Sequence, residues 1–213
     1  MRYSVKEIYY TLQGEGAHTG RAAVFCRFAG CNLWTGREED RAAAICKFCD
    51  TDFVGIDGPG GARFVSAEAL AKAVHATWAE TQSTRVQPFV VCTGGEPLLQ
   101  LDDELVKAFH DIGFEVAVET NGTRLPPEGI DWICVSPKAG AKLLLDYGHE
   151  LKLVFPQDGA EPGLFEELNF KHFFIQPMDG PLREEHTQRA IQYCLDHPQW
   201  RLSLQTHKLI GIL

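Results

Sequence analysis

Short, nearly continuous apolar runs punctuate this chain, at 23–28, 89–92, 115–119, 132–136, 151–155, 173–176 and 201–205. Such runs, bounded by Gly, Pro and polar clusters, predict strands buried on both faces. Between several of them the apolar positions return every three or four residues, the period of an amphipathic helix. Ser66 is placed to cap a helix running to about Glu80, and Asp102 one that stops at Gly113. A third spans 183–196 and ends before Pro198. The Gly- and Pro-rich stretch 55–63 and the charged, aperiodic stretch 35–44 predict loops. Strands alternating with helices indicate an α/β fold with a largely parallel sheet. No repeat, low-complexity tract or linker divides the chain, so one domain over residues 1–213 is expected.

The expected strands run from apolar residues into polar clusters. These are Thr93-Gly94-Gly95-Glu96-Pro97, Glu119-Thr120-Asn121-Gly122, Ser136-Pro137-Lys138, Gln176-Pro177-Met178-Asp179 and Gln205-Thr206-His207. Active sites of barrels and open α/β sheets form at this C-terminal edge. About six or seven strands fall short of an eight-stranded barrel. The expected architecture is therefore a partial, open TIM-like barrel of mostly parallel strands with helices outside.

Composition narrows the function. With 45% hydrophobic residues over 213 positions, the chain can bury a full core. A net charge of −9 argues against broad nucleic-acid contact. No apolar run reaches the length of a membrane span. The N-terminal residues lack the apolar stretch of a signal peptide, so a cytoplasmic protein with reduced thiols is expected. A small-molecule substrate fits this charge better than nucleic acid or membrane.

Cys31, Cys46 and Cys49 are the chain's clearest chemical signal. Three grouped thiolates suit a soft metal site, but structural zinc takes four ligands. An iron–sulfur cube on three cysteines leaves one iron open, and spacing alone does not separate the two. Cys92, Cys134 and Cys194 read as small buried hydrophobes. Cys26 is the rival fourth ligand, but the strand register turns it away from the cysteine loop.

Other residues acquire meaning beside that site. Gly94 and Gly95 let backbone approach a ligand closely, with groups able to bind the amino group of a methionine moiety. Phe48 offers a face for an adenine. Ser136, Lys138 and the 176–179 run supply polar groups and a soft sulfur. Gln13 and Glu15, flanked by Gly14 and Gly16, offer an amide and a carboxylate to a flat polar heterocycle. Arg27, in an apolar strand, needs an anionic partner. Both a structural carboxylate and a substrate carboxylate fit that need. His75, His110, His172, His186 and His197 are expected to face solvent, and His18 and His149 to lie in or near loops. His207 alone follows a strand end, and the apolar tail beyond it is expected to fold back over the sheet edge.

These motifs together resemble the radical S-adenosylmethionine superfamily and, more narrowly, the 7-carboxy-7-deazaguanine synthase family of queuosine biosynthesis and tRNA modification. The resemblance rests on Thr11-Leu12-Gln13-Gly14-Glu15-Gly16, the run from Phe25 through Gly30-Cys31-Asn32-Leu33, Cys49-Asp50-Thr51, and the polar strand ends. One departure stands out. The superfamily commonly spaces its cysteines Cys-x3-Cys-x2-Cys, whereas fourteen residues separate Cys31 from Cys46, and Thr35 occupies the usual second position. An expanded cluster loop at 31–49 follows.

The resemblance implies a [4Fe–4S] cluster on Cys31, Cys46 and Cys49, S-adenosylmethionine on its open iron, and Mg²⁺ at Thr51. It implies ring contraction of 6-carboxy-5,6,7,8-tetrahydropterin to 7-carboxy-7-deazaguanine with loss of ammonia. Leu12, Gln13, Gly14, Glu15, Arg27, Thr93, His207 and Leu213 fall to the substrate. Phe48, Cys49, Gly94, Gly95, Glu119, Ser136, Pro137, Lys138, Gln176, Pro177, Met178 and Asp179 fall to the cofactor. A homodimer and an electron donor such as flavodoxin are also implied. The alternatives are a radical activase acting on a partner protein, which carries a related Gly-Cys-Asn-Leu run, and a zinc-binding interaction module without catalysis.

Overall fold

The central sheet follows from which strand faces are apolar. In the computed structural model, which describes residues 2–79 and 86–212, nine strands form one open sheet in the order β3-β1-β2-β4-β5-β6-β7-β8-β9. They are β1 (Tyr3–Leu12), β2 (Ala22–Phe28), β3 (Ala62–Phe64), β4 (Phe89–Gly94), β5 (Glu115–Thr120), β6 (Trp132–Val135), β7 (Tyr147–Phe155), β8 (Asn169–Pro177) and β9 (Trp200–Leu202). From β2 through β9 every neighbouring pair is parallel. β1 joins β2 and β3 antiparallel. The architecture is the expected open α/β half-barrel, with nine strands rather than six or seven.

The two additional strands are β1 and β3. Lys6 and Glu7 interrupt β1, and its register shifts between Val5 and Glu7 as it pairs with β2. A bulge of this kind breaks the two-residue alternation by which a strand is read. β3 is three residues long and sits at the sheet edge, at the end of the expected 55–63 loop.

Helices α1 (Ala67–Ala79), α2 (Asp103–Asp111) and α3 (Arg183–Asp196) form where the apolar spacing places them. Ser66 Oγ accepts the Ala69 N–H at 3.2 Å and Asp102 accepts the Leu105 N–H at 3.0 Å, capping the first two. The expected end of the first helix at Glu80 lies outside the described residues. Beyond β9, which ends at Leu202 rather than 205, the chain turns into a short α4 (Thr206–Ile210).

Alternation along the strands sorts their side chains between two faces. Val24, Cys26, Phe28, Val90, Cys92, Val116, Val118, Leu151 and Leu153 join the main core under the helices. Cys26 thus points away from the cysteine loop, as its register predicts. The opposite, concave face carries a smaller apolar layer of Ala23, Phe89, Val91 and Ala117, with Phe25 and Trp132 packed on it. The next residues along that face are Arg27 on β2, Glu119 on β5 and Lys152 on β7. The concave face is therefore apolar at its base and charged toward the C-terminal ends of its strands.

Two histidine expectations are corrected. His186 is buried, its Nδ1 lying 3.0 Å from the Met178 carbonyl oxygen, because α3 packs against β8. His149 belongs to β7, where its Nδ1 accepts the Ile133 N–H and its ring stacks on Trp132.

Candidate active site

The C-terminal strand ends enclose a cavity of about 450 Å³, a size that suits two small ligands side by side. Its wall is contributed by β1, β2, β4, β5, β7 and β8, the segment after β6, the cysteine loop and α4.

At one side lies the thiolate loop. Cys46 and Cys49 line the cavity. The two neighbouring thiols perturb each other, Cys49 being drawn down and Cys46 pushed up. Burial pushes the Cys31 thiol up, while the Leu33 N–H points at its sulfur from 3.4 Å. The sheet is cut away to fit this loop. A Cβ on Gly95 would collide with the Gly30 carbonyl and come within 2.7 Å of the Cys31 Cβ. Only glycine lets β4 pass beneath the loop. Three soft sulfur donors on a glycine-relieved cradle, opening onto a large cavity, fit a cluster with one free iron.

The adjoining wall carries the residues assigned to the cofactor. Lys138 Nζ donates to the carbonyl and hydroxyl of Ser136 at 2.7 and 2.5 Å and sits 5.9 Å from the Phe48 ring centroid. Burial holds its ammonium below the usual lysine range. Gln176, Pro177, Met178 and Asp179 follow at the end of β8. Lys208 of α4 ties Asp179 to Asp50 at 2.6 and 2.5 Å, joining that wall to the cysteine loop. Thr51 lines the cavity beside Asp50, giving hard oxygen donors of the kind Mg²⁺ takes. Pro137 is buried behind the wall, where its carbonyl accepts from Gln157, and does not line the cavity.

Opposite the cysteines, an unbroken polar chain crosses the concave face. Lys152 Nζ lies 2.7 Å from Glu15 and 2.9 Å from Glu119. Gln205 donates to Glu15 at 3.1 Å, and Gln13 donates to Glu119 at 3.2 Å. Burial would raise the Glu15 carboxyl, but the buried ammonium overrides it and holds the group down to about 2. Lys152 is likewise held well above the ordinary lysine value despite its burial. Both carboxyl groups line the cavity, and oxygens there suit the N–H donors of a flat heterocycle. Glu119, assigned to the cofactor from sequence, stands here among the substrate residues. Glu119, Cys134 and Glu150 also bring donor atoms within 4.8 Å of one another, but Lys152 already supplies the positive charge at that point.

Arg27 occupies the adjacent flank. Its Nε donates to Glu7 Oε1 at 2.7 Å and its Nη2 to the Tyr9 hydroxyl at 2.8 Å. Tyr9 stacks on Phe25 at 5.5 Å, which fixes the ring. The parallel register of β2 and β4 sets Thr93 beside Arg27. Leu12 and Gly14 complete this part of the wall. A Cβ on Gly14 would run into the His207 ring, and the Thr206 N–H donates to the Gly14 carbonyl at 3.0 Å. His207 therefore sits over the Gln13–Glu15 turn, as expected of the chain's end, with burial lowering its imidazole. The Leu213 carboxylate lies outside the described residues. Leu209 and Ile210 are both 58% exposed, so the tail up to them does not pack as core.

Glu7, Tyr9 and Lys152 carry no mark in the sequence reading, and Gln205 appears there only as part of a polar strand end. Lys152 carried a usable signal. Like Arg27, it is a lone charge in an apolar strand, flanked by Leu151 and Leu153, and the same desolvation argument applies to it.

No family model matches the chain. Among curated proteins, it is 68% identical to the 7-carboxy-7-deazaguanine synthase of Bordetella pertussis and 64% identical to that of Bradyrhizobium diazoefficiens, each covering 100% of both chains. A relative in Haemophilus influenzae with the same name is 31% identical, over 99% of this chain and 94% of its own. Among solved structures, QueE from Escherichia coli superposes with a TM-score of 0.69 at 26% identity, covering 97% of this chain and 95% of that one. Identity at this level, end to end, shows the family: the chain belongs to the 7-carboxy-7-deazaguanine synthase family.

Proposed function

We propose that this chain contracts the ring of 6-carboxy-5,6,7,8-tetrahydropterin to give 7-carboxy-7-deazaguanine and ammonia, using a [4Fe–4S] cluster, S-adenosylmethionine and Mg²⁺. The observation that carries the reading is one cavity with two chemically distinct sides, Cys46 and Cys49 of the cysteine loop on one and an Arg27–Glu15–Glu119 constellation on the other. Substrate and product differ by one ammonia, so the conversion consumes no net electrons.

Cys31, Cys46 and Cys49 hold the cluster, and Phe48, Gly94, Gly95, Ser136, Lys138 and the 176–179 run hold the nucleoside and its methionine moiety. When bound, cluster and sulfonium together supply a carbon radical able to abstract hydrogen from an unactivated position. The protein's own part is placement. Arg27, held from behind by Glu7, presents guanidinium N–H groups to the pterin carboxylate. Glu15 and Glu119, both paired with Lys152, take the amino and ring N–H donors at the pyrimidine end. Gln13, Thr93 and His207 complete the contacts, and Thr51 would hold Mg²⁺ together with the substrate. Fixing both ends of a flat molecule sets which carbon faces the cofactor wall.

The protein acts as one domain and as a homodimer in the cytoplasm, reduced by a donor such as flavodoxin; the family resemblance supports these assignments. Anaerobic purification with iron and sulfide analysis, followed by incubation with reductant, S-adenosylmethionine and the pterin, tests the reading. Four irons per chain and pterin-dependent product are expected. A colourless zinc protein removes the radical reading, and cofactor cleavage without pterin turnover favours the activase.

A further inference from the structure

The fourteen residues between Cys31 and Cys46 raise a physical problem. Lengthening the loop costs little in closure entropy, but it leaves the second and third cysteines without the short spacer that would orient them on the first. The chain answers with one side chain. Within the insertion, a 3-10 turn over Glu38–Ala43 carries Arg41 back toward the cysteine loop. Arg41 Nη1 donates to the carbonyl oxygens of Lys47 and Cys49 at 2.9 and 3.1 Å. Its Nε and Nη2 form a fork on the Glu38 carboxylate at 2.7 and 2.5 Å. Its guanidinium carbon lies 4.0 Å from the centroid of the Trp34 ring.

Trp34 is itself anchored. It is 7% exposed, donates through Nε1 to the Arg37 carbonyl at 3.1 Å, and meets Phe53 edge-on at 5.6 Å. Arg41 therefore bridges the segment that follows Cys31 and the segment that contains Cys46 and Cys49. All three faces of its guanidinium are used at once, a role no other side chain can fill.

We propose that Arg41 is a positioning residue for the cluster, holding the Cys46–Cys49 turn in register with Cys31 and placing a fixed positive charge beside the thiolates. The insertion is then the device that delivers this brace. The proposal rests on the cluster reading above but concerns a residue outside the cavity wall.

The test compares wild type with Arg41→Ala, Arg41→Lys and Glu38→Gln, each reconstituted anaerobically. Three quantities are read: the rate of iron release to a chelator, the midpoint potential of the cluster, and the melting temperature of the iron-free protein. Removing an outer partner of a metal site weakens holding about 10- to 100-fold, so Arg41→Ala should release iron at least ~10-fold faster. It should also be reduced at a lower potential, because a cation near the cluster favours its more negative form. Arg41→Lys keeps the charge and loses the fork, so its potential should stay near wild type while release is still accelerated. Glu38→Gln, which leaves Arg41 in place with a weaker grip, should release iron at a rate between wild type and Arg41→Ala, while its potential should not fall, because an anion and not a cation has been removed. Iron release and potential at wild-type values in Arg41→Ala overturn the proposal. So does a fall in iron-free melting temperature that accounts for the faster release, since Arg41 would then be an ordinary structural residue. Failure of the wild-type protein to take up iron refutes the cluster reading itself and is distinguishable from both.

Discussion

Arg27 donates Nε to Glu7 Oε1 at 2.7 Å from the neighbouring antiparallel strand. That bond shows how the arginine has both a structural partner and a ligand-facing edge. Glu7 neutralises the charge that burial in β2 would otherwise penalise, and Nη1 is left for an incoming carboxylate. Glu7 is the structural carboxylate that the sequence called for, and on the proposed function a substrate carboxylate meets the arginine from the cavity side.

Arg27→Lys should accordingly weaken substrate binding more than folding. An ammonium can keep the pair with Glu7 or reach the substrate, but it cannot supply the fork to both. Loss of a hydrogen bond to a charged group costs ~1.5–3 kcal/mol, so KM should rise roughly 10- to 100-fold. S-adenosylmethionine affinity should be unchanged and the melting temperature nearly so. Substrate titration beside thermal melting checks both parts. An early-melting variant with normal KM would make the arginine purely structural.

Lys152→Met should destabilise the protein, because it leaves the half-buried Glu15 and Glu119 beside each other without their counter-charge. Breaking a buried pair from one side costs roughly 3–5 kcal/mol. The double variant Lys152→Met with Glu15→Gln should recover part of the loss, since the remaining site is then less charged. Denaturant unfolding of the four proteins measures the coupling. Strictly additive losses would show that the 2.7 Å contact carries no interaction energy.

The same contact sets a pH window. Glu15 is lowered in the folded protein to about 2, against ~4.3 in an unfolded chain. Its contribution to stability is therefore fully present above about pH 5 and is lost as pH falls from ~4 toward 2. The difference in unfolding free energy between wild type and Glu15→Gln should be flat from pH 5 to 8, at up to ~3 kcal/mol, and shrink below pH 4. A difference that declines already between pH 7 and 5 would contradict the ion pair.

Replacing Cys31, Cys46 or Cys49 with Ala should abolish cluster uptake, whereas Cys26→Ala should keep it, because Cys26 faces the core beneath the helices. Iron analysis after reconstitution decides the matter. Iron lost from the Cys26 variant would require a fourth ligand and a different site.

The polar strand ends were legible because each is a local run. Apolar residues followed by Thr-Gly-Gly-Glu or Glu-Thr-Asn-Gly announce a strand and its functional edge without knowledge of any partner. β1 was hidden because its bulge at Val5–Glu7 breaks the alternation that marks a strand, although the pairing itself is long. The floor of the cavity was only half visible. Glu15 and Gln13 sit in a conspicuous glycine-flanked turn, but their meeting with Lys152 and Glu119 depends on strand order across the sheet, which no local pattern encodes. Arg41 illustrates the same limit. Its charge in an aperiodic loop reads as a solvated residue until the fold brings it under the Lys47 and Cys49 carbonyls.

The central claim is that one cavity brings a three-cysteine cluster and a carboxylated pterin together for ring contraction. Anaerobic single-turnover analysis by mass spectrometry, with reduced protein, S-adenosylmethionine and 6-carboxy-5,6,7,8-tetrahydropterin, tests it most directly. The predicted result is one 7-carboxy-7-deazaguanine and one ammonia for each pterin consumed, with Arg27→Lys losing product at limiting pterin. Reductive cleavage of the cofactor with the pterin recovered unchanged would contradict the account.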